Sequence, residues 1–185
     1  MPGHALLNFA PLLVLLAWAA AIDARSRRIP NWITLGLLVS GLARAIVVHN
    51  AISPGQALLG MLVGLSVPVI LYCISAMGAG DVKLLAAIGA WLGPGPVFVV
   101  LIVETLAGLV IVVVQSILQR NTTALVRNSA LVAINLASAG ETGLESAIER
   151  GKAVGSISRP LPYAVPVLIA TIVVLWVGSF SGGWT

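Results

Sequence analysis

Among 185 residues there are one cysteine, two histidines and two aspartates, and only 9% of the side chains carry charge. A lone thiol, Cys73, builds neither a disulfide framework nor a cysteine-rich zinc site. Soluble domains carry roughly 25% charged residues, so scarce charge, 59% hydrophobic residues and a mean hydropathy of +1.07 exclude a soluble globular chain. The same apolar content excludes disorder. The ten basic residues scatter over separate loops and form no stripe, so no nucleic-acid partner is expected.

What the chain does have is apolar runs. A helix needs about 20 apolar residues to cross roughly 30 Å of hydrocarbon, and six runs suggest themselves: 5–22, 32–48, 57–77, 81–93, 97–118 and 161–180. The expected fold is therefore all-α, a single polytopic membrane domain over 1–185. The first run is not a signal peptide, because Arg25, Arg27 and Arg28 follow it where a signal peptide carries its charge ahead. The fourth is short: its apolar part, Val82 to Gly93, measures about 18 Å as a helix. It borrows length from Gly80 and Asp81, sits in thinned bilayer, or re-enters.

Alternating six spans puts nine of the ten basic residues on one side: Arg25, Arg27, Arg28, Lys83, Arg120, Arg127, Arg150, Lys152 and Arg159. The positive-inside rule makes that side cytoplasmic and turns both termini away from it. Residues 119–159 form one long cytoplasmic loop. Glu141, Glu145 and Glu149 recur there at i, i+4 spacing, which fits either an amphipathic surface helix or a solvated connector.

Both aspartates, Asp23 and Asp81, fall at cytoplasmic ends of expected spans, at one membrane depth. Ionisable groups at such depth are costly and point to function. Each also has a plainer reading: Asp23 as an ion pair with Arg27, Asp81 as a helix cap. His4 and His49 fall on the opposite side, so neither a histidine triad nor a His/Asp metal site can include the aspartates. Cys73 lacks a histidine to activate it, and a Ser26 or Ser75 dyad with Lys83 has no supporting spacing. Gly78-Ala79-Gly80 does not continue as a dinucleotide loop, so no cofactor is expected.

Two carboxylates a few ångströms apart cannot both ionise easily, so such a pair shares one proton. Its ionised member can take a proton from water attacking a peptide carbonyl while its protonated member polarises that carbonyl. Lys83 does not disturb this, since helix residues two apart do not face each other. The glycines ahead of Asp81 leave bare backbone for an extended peptide.

The run Asp23-Ala24-Arg25-Ser26-Arg27-Arg28-Ile29-Pro30-Asn31, with Gly78-Ala79-Gly80-Asp81-Val82-Lys83-Leu84 heading a later helix, resembles the type IV prepilin peptidases, membrane aspartic proteases of the GxGD class. The resemblance covers about the first half of the chain. It implies that Asp23 and Asp81 are the catalytic pair, with Pro30, Asn31, Gly78, Gly80 and Lys83 beside substrate. It also implies cleavage of a short basic leader from a prepilin or pseudopilin precursor at the cytoplasmic face of the inner membrane. An amino-terminal cytoplasmic domain with paired cysteines, present in the larger bifunctional members, is missing here, which argues against methyltransferase activity. The short form is similar to the peptidases of tight-adherence (Flp-type) pilus systems and to archaeal preflagellin peptidases. Arg25, Arg27 and Arg28 suit anionic lipid headgroups better than a basic leader.

Two other classes stay open. A proton-coupled carrier would use Asp23, Asp81 and Glu104 as a relay. A non-catalytic assembly scaffold would use the aspartates only as caps. Counted along full-length spans, Arg44 and Glu104 both fall in the outer half, and the preferred reading of the two is an intramembrane ion pair.

Overall fold

A computed structural model describes residues 8–48, 52–73, 77–118 and 163–181. They form six helices: α1 (Ala10–Ser26), α2 (Asn31–Val47), α3 (Pro54–Cys73), α4 (Ala79–Leu92), α5 (Pro94–Leu118) and α6 (Ala164–Ser181). No strand occurs among the described residues. The expected 119–159 loop lies outside them.

Local chemistry sets several of the ends. Arg27 takes a left-handed conformation (φ 53°), and its N–H returns to the Asp23 carbonyl at 2.7 Å, closing α1. Pro30 is extended and leads into α2. At the head of α3, Ser53 and Gln56 exchange backbone-to-side-chain hydrogen bonds at 3.1 and 3.2 Å, a reciprocal capping box. Gly93, at φ 81°, ends α4, and Pro94 starts α5 at once.

α4 is the central helix, packed on α2, α3, α5 and α6. Every residue from Leu84 to Leu92 is buried, the pattern of a helix surrounded by protein. With neighbours on all sides it presents little surface outside the bundle. It approaches α3 backbone to backbone. A Cβ at Gly60 would run into the Gly89 carbonyl oxygen, and one at Gly64 into that of Leu85. Small residues four apart provide such contact where lipid supplies no hydrophobic drive between helices.

The outward faces are apolar: Val14, Leu35, Ile46, Ile70, Leu109 and Val177 are each more than half exposed. Apolar surface on this scale marks contact with something other than water. Two described helices are long and apolar enough for a complete crossing by length and composition, Pro54–Cys73 and Pro94–Ile111. Asn31–Val47 and Ala164–Gly178 are shorter apolar helices. Six helices are thus present where six spans were expected, and two of them meet the measure of a full span.

Candidate active site

Asp23 lies near the end of α1 and is 5% exposed. Its Oδ2 accepts a hydrogen bond from the Ala164 N–H at 3.0 Å. Ala164 is the first residue of α6, and the first N–H groups of a helix have no partner within it. Asp23 therefore caps α6 from a different helix with its carboxylate, while the Arg27 N–H meets its backbone carbonyl. Asp81 sits in the first turn of α4, three residues after the cap residue Gly78. Its carboxyl reaches back toward the Gly78 backbone. It is a first-turn acid, favoured at the positive end of the helix dipole, and not the cap itself. Asp23 and Asp81, 58 positions apart, stand close enough for the charge of one to act on the other.

The residues around them hold this arrangement. The Lys83 ammonium donates to Asn31 Oδ1 at 3.0 Å, joining the head of α4 to the head of α2. A Cβ on Gly80 would come within 3.2 Å of the Ile29 Cβ, so α4 packs directly on the α1–α2 turn. Pro30 fixes the extended entry to α2 between these two contacts. Both aspartate-bearing segments are thereby locked together through Ile29, Pro30, Asn31, Gly80 and Lys83.

Arg44 and Glu104 do not pair, which corrects the expectation of an intramembrane ion pair. The Arg44 guanidinium lies over the Phe9 ring (4.8 Å) and the Trp91 ring (5.5 Å) and reaches the Trp91 carbonyl at 3.5 Å. It is a cation at the carboxyl end of α4, stabilised by that helix dipole and by two ring faces. Glu104, 2% exposed, accepts the Tyr163 hydroxyl's hydrogen bond at Oε1, 3.2 Å away. Depth explains the miss. Asp81 precedes the Gly93 turn by 12 residues and Glu104 follows it by 11, so both stand about 17 to 18 Å from the turn. Glu104 is level with Asp81, while Arg44 is at the far end.

Ser26 bonds to the Ile22 and Arg28 carbonyls, which leaves it no part in a nucleophilic dyad. Cys73 is exposed at the end of α3. His4, His49 and Ser75 lie outside the described residues. Arg25, Arg27 and Arg28 are exposed. Among the described residues, no three ligand-type side chains are placed to hold a metal ion. Sequence reasoning missed Tyr163 and the true neighbourhood of Glu104. The near-symmetry of positions 81 and 104 about Gly93 was the available signal.

The fold and these side chains define an all-helical apolar bundle with an acidic site at one end. The family model for the type IV leader peptidase family matches residues 10–113, and the chain belongs to that family. Its relatives include proteins named prepilin leader peptidase/N-methyltransferase. The one from Klebsiella pneumoniae is 43% identical over 50% of this chain and 43% of its own length. That from Pectobacterium carotovorum subsp. carotovorum is 34% identical over 67% and 47%. That from Escherichia coli (strain K12) is 36% identical over 56% and 48%. The chain spans about half the length of these relatives. No solved structure matches it.

Proposed function

We propose that this chain is a membrane-embedded aspartic endopeptidase that removes the basic leader of type IV prepilin-like precursors, with Asp23 and Asp81 as its catalytic pair. The observation that supports the reading is that its two aspartates, from different helices, stand near enough for the charge of one to act on the other. Family membership supports the peptidase activity and the prepilin substrate.

Chemically, the pair holds one proton between two carboxyls. The ionised member takes a proton from water as the water oxygen attacks the scissile carbonyl carbon. The protonated member donates to the carbonyl oxygen, giving a tetrahedral diol. Transfer of a proton to the amide nitrogen then breaks the C–N bond, releasing an amine and a carboxyl group. Asp23 has Oδ2 committed to the Ala164 N–H, so Oδ1 is the oxygen left for this chemistry.

The layout we propose is six helices traversing the inner membrane, both termini away from the cytoplasm and the aspartates toward it. The basic side chains Arg25, Arg27 and Arg28, exposed beside Asp23, support that side as cytoplasmic and meet anionic headgroups. The test is co-expression of a prepilin with wild type, Asp23→Asn and Asp81→Asn, scoring leader loss by precursor size. Both variants should leave the precursor full length while accumulating normally in the membrane. Normal processing by either one removes it from the pair.

A further inference from the structure

Among the described residues, the two-aspartate reaction leaves one buried acid unused. Glu104 is 2% exposed, and its Oε2 meets no protein donor or acceptor. No cation pairs with it among the described residues, and the groups facing it are the Tyr163 hydroxyl and the Asp81 carboxyl. Glu104 accepts from the Tyr163 hydroxyl at Oε1, 3.2 Å away. Tyr163 is bonded in sequence to Ala164, whose N–H holds Asp23. Two hydrogen bonds, joined by the Tyr163–Ala164 peptide link, thus run in series from α5, through the amino end of α6, to the Asp23 carboxylate.

We propose that Glu104 is a positioning residue of this site: with Tyr163 it anchors the amino end of α6, so that the Ala164 N–H holds Asp23 Oδ2 and leaves Oδ1 for the reaction with Asp81. The inference rests on the peptidase reading above. It differs from a relay role, in which Glu104 would exchange a proton with the pair. It differs also from simple packing, which would leave the rate per folded molecule unchanged.

The experiment uses the full chain in membranes, with prepilin processing measured over a pH series and normalised to membrane abundance. Glu104→Gln keeps the acceptor oxygen and the shape, so it should process within about twofold of wild type with an unshifted pH profile. Glu104→Ala and Tyr163→Phe should each lose about tenfold in kcat, the equivalent of one hydrogen bond, with little change in KM. Combined, they should cost no more than either alone, since they break one path.

Glu104→Gln as inactive as Asp23→Asn at equal abundance overturns the proposal in favour of proton exchange. Wild-type rates in Tyr163→Phe overturn it outright. If Glu104→Ala fails to accumulate, Tyr163→Phe, which deletes a single hydroxyl, carries the test. Failure of the underlying peptidase reading looks different, because Asp23→Asn and Asp81→Asn would then process normally.

Discussion

Adding one methyl group at Gly78 should damage activity without damaging the fold. Gly78 has φ −79° and ψ 148°, a conformation open to any residue, so alanine meets no backbone strain there. The exposed position has room in every direction but one: the new Cβ would lie 3.0 Å from Asp81 Oδ2. That is tighter than ordinary contact, and the carboxyl must retreat by a few tenths of an ångström. Losing a glycine's freedom in the unfolded chain stabilises by about 0.4 to 1 kcal/mol where the conformation fits, so membrane abundance and thermal stability should hold or rise. Activity should move the other way. Misplacing a reacting group by about 1 Å costs roughly a hundredfold, and a shift of part of that distance should cost about tenfold. The assay is the initial rate of precursor shortening per unit of enzyme in membranes, beside a thermal melt in detergent. Wild-type processing by Gly78→Ala would refute the view that Asp81's exact seat matters. A parallel loss of stability would refute the view that the backbone there is unstrained.

Gly60→Leu should abolish accumulation of the folded protein, because the side chain would occupy the space of the Gly89 carbonyl and force α3 off α4; the measurement is membrane abundance. Arg44→Met should lower stability by about 1 to 2 kcal/mol through loss of its ring contacts and its bond to the Trp91 carbonyl. Its normalised processing rate should be unchanged, because Arg44 lies at the opposite end of α4 from Asp81; a rate loss beyond threefold would contradict that separation.

The aspartates were legible in the sequence because the chain has only two, and each stands at the end of an apolar run. Helix positions were legible for the same reason, since apolar runs and their breakers mark them directly. What hydropathy could not carry was depth. Glu104 was counted inward from Val97 as though every span were full length, but α4 is too short for that frame and sets its own. The Lys83–Asn31 hydrogen bond was equally out of reach, because no spacing rule links positions 31 and 83. In the fold that bond clamps two helices together. Gly60 and Gly64 did carry a readable signal, a four-residue small-residue repeat, which makes sense only once α4's carbonyls are seen against it.

The short central helix also explains how three acids can persist at the end of so apolar a bundle. α5 continues 14 residues past Glu104, while α4 ends at Ala79 just beyond Asp81. The carboxyls therefore lie level with the middle of α5, about 21 Å short of its end. A side chain at that level on the outer surface would face the surroundings of the apolar shell. Asp23 avoids this by binding the α6 N–H, Asp81 by its first-turn seat against Gly78, and Glu104 by Tyr163. Each acid is stabilised by a group from a helix end, where backbone N–H groups are unpaired anyway, or by a residue next to one. Moving the amino end of α4 outward by a turn would leave Asp81 without its neighbours Asp23 and Glu104, so the helix length that looked anomalous in the sequence is what brings the acids together.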